Sequence, residues 1–280
     1  MKILVTGATG NVGQAILRRL DGEQVELYAG VRDLSTAKAR LAVDCQACVV
    51  DFERAIFPAI PFDAVFLMRP PQLADPGIFA KFLATLAPRI RVVFLSVQGA
   101  DIKSYLPHAK IEKLIREMGL PHVFLRPSYF MENLTTTLWP ELSGNHRIFL
   151  PSGKLRLNWI AVSDVAEVGA LALLGRVAED AVDVSNTGTL GFQEVVHAIN
   201  GLCGTRLAYH SPWLPAYVAY TLRQHQGLAY LFVMLLLHYL PRFGRQDGAS
   251  TSDFQRITGK PPTTLDAFIA QNHQTFEQLR

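Results

Sequence analysis

The chain has 280 residues, 49% hydrophobic and 18% charged. That composition builds a well-filled core and excludes a disordered or fibrous protein. Its formal net charge is only +3, from basic residues that form no run or stripe, which argues against a nucleic-acid ligand. Three cysteines give no disulfide framework, and, with the first strand beginning at once, no signal or transit peptide is expected. A cytoplasmic protein is expected.

In chain order, the apolar run Lys2–Thr6 reads as a strand that enters three glycines, Gly7, Gly10 and Gly13, at a spacing of three. An amphipathic helix follows, with Val12, Ile16, Leu17 and Leu20 on one side and Arg18 and Arg19 on the other. Strand, glycine turn and helix in this order form the first unit of a dinucleotide-binding fold. Gly7 permits a tight turn, Gly10 lets the backbone approach a pyrophosphate, and Gly13 lets the helix sit close to the strand. Amides around Asn11 and Val12 would then face phosphates.

The second strand, 25–31, leads into Arg32-Asp33. NAD-selective folds place an acidic residue there, whereas an Arg pairs with a 2′-phosphate, so Arg32 points to NADP(H). Asp33 suits a helix cap. After the third strand, 47–50, Asp51 and Phe52 are placed to border an adenine, the carboxylate near its amine and the ring against the base. Cys45 and Cys48 read as lying on this strand, three apart and so on opposite faces; no metal site is expected. The fourth strand, Ala64–Met68, runs into Arg69-Pro70-Pro71, a rigid segment expected to pass the nicotinamide ribose. Strands at 91–96 and 122–126 follow, with Ser96 closing the first as a cofactor contact. Helices are predicted at 35–42, 76–86 and 108–118. This alternation predicts a parallel sheet covered on both faces, with its ligand crevice at the carboxyl ends of the strands.

The run Thr6-Gly7-Ala8-Thr9-Gly10-Asn11-Val12-Gly13 resembles the glycine loop of the extended and atypical short-chain dehydrogenase/reductases. Ordinary members exchange a proton through Tyr-x-x-x-Lys, the Lys lowering the Tyr pKa. Here Tyr105 and Lys110 are one residue too far apart, with Pro107 between them. Judged by Glu112, His108 stands at the Lys position and Ser104 at the Tyr position. Three further stretches closely resemble the NmrA-like family and, with the glycine loop, span nearly the whole chain. They are 108–134, with Glu112, Gly119, Arg126-Pro127 and Glu132-Asn133; 157–168, with Trp159 and Ser163-Asp164; and 257–268, with Gly259 and Pro261-Pro262.

That resemblance implies an α/β fold, a Rossmann-type doubly wound parallel sheet with a smaller, mainly helical C-terminal substrate lobe, and NADP(H) as cofactor. Carried over by position, Gly7, Thr9, Gly10, Asn11, Val12 and Arg32 hold the phosphates. Met68, Arg69, Pro127, Ser128, Tyr129 and Phe130 surround the nicotinamide, and His108 or Lys110 lies beside its ribose. Asp164 with Glu167 reads as a helix start of capping-box type.

The lobe boundary is expected at residue 150: 1–150 as the cofactor core, to which helix 163–174 returns, and 151–280 as the substrate lobe. A strand at 183–185 and a helix at 192–200 precede two apolar stretches, 213–222 and 228–240, broken at 223–226. Spanning a bilayer needs about 20 apolar residues, so neither stretch is long enough. They read as a lid over the nicotinamide, as core, or as a self-association face. Two activities stay open. One is a reductase passing hydride from NADPH to an apolar acceptor such as a quinone or other unsaturated ring, with His108, Lys110 or Tyr129 as candidate proton donors. The other is a non-catalytic NADP(H)-sensing regulator acting through a partner protein. A homo-oligomer is compatible with either.

Overall fold

The computed structural model describes residues 1–70, 73, 75–243 and 253–280; Pro71, expected beside the nicotinamide ribose, lies outside them. Among the described residues seven strands form one sheet: β1 (Lys2–Thr6), β2 (Glu26–Val31), β3 (Gln46–Val49), β4 (Ala64–Met68), β5 (Arg91–Leu95), β6 (His122–Pro127) and β7 (Ala181–Val184). All pairs are parallel, in the order β7-β6-β5-β4-β1-β2-β3. The order reverses between β1 and β4, the switch point beside which the carboxyl ends of such sheets open a crevice. This is the doubly wound Rossmann arrangement that the alternation predicts.

The central strands β1, β4 and β5 are buried and apolar from their second residue almost to their ends, because both faces are covered. Leu4, Val65, Leu67, Val92, Phe94 and Phe124 join one core cluster with Phe79 and Phe82 of helix α2 (Pro76–Leu83) and Ile111 and Ile115 of α3 (Pro107–Glu117). Elsewhere Gly169 of α4 (Val162–Leu173) packs closely between Ile16 of α1 (Asn11–Leu20) and Leu125, where a Cβ would lie 3.2 Å from each side chain. The predicted helix 35–42 shortens to Leu34–Ala37 and a tighter turn, Lys38–Arg40. Leu34 is 47% exposed, so this segment has little apolar face to dock, and packing is what sustains short helices.

Two readings are corrected here. The chain divides after Ser128, not at residue 150: one unit comprises Met1–Ser128, Val162–Val184 and Asp253–Pro261, the other Tyr129–Ala161, Ser185–Ser252 and Pro262–Arg280. The expected lobe 151–280 thus returns more than one helix to the first unit, because β7 pairs with β6 and completes the sheet. Cys45 and Cys48 do not share a strand either. β3 begins at Gln46, so Cys45 lies ahead of it, while Cys48 Sγ donates to the Ala29 carbonyl at 3.8 Å. Burial, with Cys45 nearby, pushes the Cys48 thiol up to about 11, which leaves it protonated and unreactive.

The second unit is held by an aromatic core that includes Trp159, Phe192, Phe268 and Phe276. Helix Phe192–Cys203 buries Phe192, Val195, Val196, Ile199 and Cys203 on one stripe and ends at Gly204, whose φ of +66° needs no Cβ. The apolar stretches become helices Leu214–Arg223 and Leu228–Met234, separated where His225 takes φ +56°. A π-helical turn, Leu235–Tyr239, and a 3-10 turn, Leu240–Phe243, follow. Among the described residues no helix is long and apolar enough to cross a membrane.

Gly13 and Gly201 provide a matched test of this packing. A Cβ on Gly13 would lie 2.3 Å from the Gly7 carbonyl oxygen, a backbone atom that cannot swing aside, whereas one on Gly201 meets nothing within 4 Å. Gly13→Ala should therefore destabilise the protein by about 2–3 kcal/mol. Gly201→Ala should stabilise it by about 0.5–1 kcal/mol through helix propensity. Denaturant melts of both variants check the pair; similar stabilities would refute the close approach.

Candidate functional site

The glycine turn is built by backbone alone. Gly7 takes φ +62°, and its carbonyl accepts from the Gly10 N–H at 2.9 Å. The Met68 side chain lies over Gly7 so closely that a Cβ there would sit 2.2 Å from the Met68 methyl. Gly10, extended at φ −91° and ψ 170°, is the N-cap of α1, and its carbonyl accepts from the Gln14 N–H at 2.9 Å. Having no side chain, it cannot cap the first-turn amides, and that turn holds no acidic residue. The positive end of the helix dipole and the amides of Asn11 and Val12 therefore face outward as a site for an anion. Asn11 is exposed, and the Val12 side chain is buried. Thr9 is half-buried, its carbonyl accepting from Gln14 Nε2 at 3.2 Å.

Arg32 is exposed immediately after β2. Its neighbour Asp33 accepts from the Ser35 N–H at 2.8 Å and the Ser35 hydroxyl at 2.7 Å, bonds that hold its carboxyl below the ordinary value. Asp33 thus caps a turn. Asp51, half-buried, accepts from the Arg54 N–H at 3.1 Å. Phe52 is a correction: its ring packs 4.5 Å from Phe82 and 5.2 Å from Phe79, inside the sheet's core rather than against a base. The bridge between Asp51 and Ile56 folds the chain back here, and the ring goes inward. Met68 donates its N–H to Thr6 Oγ1 at 3.0 Å, and that hydroxyl donates to the Phe66 carbonyl at 2.9 Å, joining the ends of β1 and β4. Arg69 turns its guanidinium onto its own loop, donating to the carbonyls of Pro70 at 3.1 Å and Leu73 at 2.8 Å.

Beyond β5 and β6 lies an ion pair that the sequence reading missed. Glu112 on α3 is 1% exposed and receives two parallel bonds from Arg126 of β6, Nη2 to Oε2 at 2.7 Å and Nε to Oε1 at 3.0 Å. Ser96 completes it, its hydroxyl donating to Glu112 Oε1 at 2.6 Å. This corrects the reading of Ser96 as a cofactor contact: the side chain is buried beneath the site. The bond to Glu112, then its charge, raises the Arg126 pKa against the opposing effect of burial. A signal was present. Glu112 stands on the apolar face of α3 between Ile111 and Ile115, and Arg126 ends an apolar strand, places where a charge needs a partner.

His108 lies one turn before Glu112, half-buried, with its ring 6.1 Å from that of Phe94. Burial, and secondarily the charge of Arg69, lower its pKa to about 4, so it is a neutral imidazole at neutral pH. Lys110 is exposed, two residues on and so on the opposite side of the helix. Tyr105 precedes the helix and is 66% exposed. Of the ribose-side candidates, the structure brings His108 and Arg69 together and sets Lys110 apart. Pro127 is buried at the end of β6, its carbonyl accepting from the Gln98 N–H at 3.0 Å, and half-buried Ser128 donates its N–H to the Val184 carbonyl at 3.1 Å.

Within the second unit, Tyr129–Phe130 is a short strand parallel to Trp159–Ile160, and Phe130 is half-buried. The Tyr129 hydroxyl lies 2.9 Å from His238 Nε2, and His238 Nδ1 lies 3.0 Å from the Met234 carbonyl. A carbonyl only accepts, which assigns the ring proton to Nδ1; Nε2 then accepts from Tyr129. Burial lowers His238 to about 4 and raises Tyr129 above the ordinary phenol value. Tyr129, expected as a proton donor, thus directs its proton into its own unit. His238 is a residue that sequence reasoning passed over.

The ion pair and the two histidines carry predictions. Glu112→Gln should cost about 3 kcal/mol by taking the bidentate carboxylate from buried Arg126 and leaving it the 3.8 Å contact with half-exposed Asp101. Arg116→Ala, which removes a guanidinium 47% exposed and 3.3 Å from the same carboxylate, should cost about 1 kcal/mol or less. His108 and His238 take up protons near 6.5 in the unfolded chain but only near 4 in the fold. The unfolded state therefore binds more protons between those values, and stability falls as pH drops from 6.5 towards 4. Melting temperatures across that window should show a shallower fall in His238→Gln than in the parent; parallel curves would disprove the assignment.

No family model matches the chain. It is 26% identical over 280 residues to the uncharacterized oxidoreductase YesF of Bacillus subtilis, covering 96% of this chain and 94% of that protein. Among solved structures it is similar to the triphenylmethane reductase of Citrobacter sp. complexed with NADP(H), with TM-score 0.79, 15% identity, and coverage of 97% and 99% of the two chains. It is likewise similar to the NADPH-dependent quinone oxidoreductase QOR2 of Escherichia coli complexed with NADPH, with TM-score 0.79, 18% identity, and coverage of 96% and 99%. These likenesses agree with the strand order in giving the chain a Rossmann-type α/β fold.

Proposed function

We propose that this protein is an NADPH-dependent oxidoreductase that passes hydride to an apolar acceptor, a quinone or another unsaturated ring compound, without a Tyr-x-x-x-Lys pair. The observation that carries the cofactor is the helix start at Gly10: amides with no side-chain cap, a turn without acidic residues, and exposed Arg32 after the neighbouring strand. With Met68 packed over the Gly7 turn, Gly10 is the position at which the backbone approaches a pyrophosphate. Asn11 and Val12 bind the pyrophosphate through their amides, and Arg32 binds the 2′-phosphate. Bound NADPH supplies the hydride. NADP(H) in the triphenylmethane reductase and NADPH in QOR2 support this choice.

The acceptor class follows from the acids within each unit. His108 is neutral, Lys110 points outward and the Tyr129 proton is held by His238. With no strong donor, the chemistry suits an acceptor whose negative charge is delocalised as it forms and is protonated from water. A simple ketone, whose alkoxide needs a positioned acid, does not fit. Catalysis then rests on holding two rings in register. The same lack of an acid favours the second reading, an NADP(H)-sensing regulator, and one set of measurements separates the two.

Arg32→Ala should weaken NADPH binding by about 10- to 100-fold, about 1.5–3 kcal/mol, and NADH binding little. Equal losses would show that Arg32 does not read the phosphate. Purified protein with NADPH should reduce quinones or dyes, followed by loss of NADPH absorbance, and Tyr105→Phe should stay within about threefold of the parent, since Tyr105 donates no proton. If no such acceptor is reduced while NADP+ and NADPH bind with clearly different affinities, the regulator stands instead.

A further inference from the structure

Between Leu207 and Phe243 the chain contains no Asp, Glu or Lys; its charged residues there are Arg223 and Arg242. The part 228–243 is apolar all round its helical turns. Its inward residues are Leu231, Met234 and His238, at 8%, 2% and 1% exposure. Outward stand Leu228 (73%), Phe232 (67%), Val233 (46%), Leu237 (41%), Leu240 (56%) and Phe243 (70%). Phe232 lies four residues from Leu228, and Val233 four from Leu237, so the two neighbouring pairs together cover the broad side opposite Leu231, Met234 and His238. The preceding helix, Leu214–Arg223, packs against Leu228–Met234 and adds exposed Trp213 and Leu222. A helix that is hydrophobic all round is ordinarily covered, and a contiguous exposed apolar patch marks an interaction surface.

Charge and composition choose what covers it. A second copy of the chain would set exposed Arg223 against its own kind, with no carboxylate in 207–243 to pair it, while Arg242 is already bonded to the Pro151 carbonyl. An anionic headgroup layer supplies that counter-charge. Exposed Trp213, Phe232 and Phe243 belong to the residue types that settle at the boundary between headgroups and acyl chains. The helices are too short to go further. Arg242 lies within 5.5 Å of the ring centres of Tyr239 and Phe243, a cation beside aromatic rings at the end of the stripe. We propose that the outward face of 228–243, together with Trp213 and Leu222, docks on the surface of an anionic lipid bilayer as an interfacial, non-spanning anchor. Exposed Arg223 meets headgroup phosphates.

The proposal stands apart from the cofactor reading and is tested without it. Full-length protein is sedimented with phosphatidylglycerol/phosphatidylcholine vesicles and with pure phosphatidylcholine vesicles. Binding to the anionic vesicles should be about tenfold stronger or more, and should weaken as salt is raised. Phe232→Ser with Leu237→Ser should abolish most of it, and Arg223→Gln should lower it on anionic vesicles alone. Both replace exposed side chains, and unchanged melting temperatures confirm that they fold. Failure of the parent to sediment with either vesicle overturns the proposal, as does binding indifferent to the variants. A dimer that sedimentation velocity shows to be dissolved by the Phe232/Leu237 change, without lipid binding, would assign the face to a second copy instead.

Discussion

The bidentate contact between Arg126 and Glu112 is the constraint on which the chemistry of the first unit rests. It joins the end of β6 to the middle of α3 and, through Ser96, to the residue after β5. Removing two charges from water is costly unless geometry and further hydrogen bonds offset it; here two parallel bonds and a hydroxyl do so. The pair sets the rotation of α3. With Glu112 inward, His108 one turn earlier also faces the sheet, against Phe94 and near enough to Arg69 to feel its charge. Lys110, two residues on, must face water. A neutral ring thus faces the sheet at this turn of α3.

Positive potential comes instead from backbone and surface. The glycine turn places the start of α1 at the carboxyl end of β1 without a capping side chain, and Arg32 follows β2, the strand paired with β1. Asp33, the nearby carboxylate that could oppose an anion, is hydrogen-bonded to Ser35. Helix-end amides and a guanidinium on the next strand are two separate features that suit anionic groups, and together they agree with NADP(H) as the cofactor.

The second unit differs in what it leaves uncovered. Its core is aromatic and closed around Trp159, Phe192 and Phe276, yet 228–243 turns a full apolar stripe to solvent. An apolar acceptor partitions into lipid, so a bilayer-docking face and a reductase of ring compounds are chemically compatible, although each rests on its own observations.

Local pattern was enough for the sheet. Ala64–Met68 and the central strands beside it are legible because a strand buried on both faces is apolar along its buried length, a property of the segment alone. The glycine turn is legible for the same reason: Gly7, Gly10 and Gly13 answer to steric demands within one strand–turn–helix unit. Tertiary structure decided whatever depends on a distant partner. Phe52 goes to the core because Phe79 and Phe82 wait there, and Ser96 is turned down by Glu112. Tyr129 donates its hydroxyl hydrogen bond to His238, a residue 109 positions away. The division after Ser128 could not be read from a local run, since β7 completes the sheet from beyond residue 180. Segment-wide hydrophobicity is written in consecutive residues, but the partner of a buried polar group is chosen by the fold.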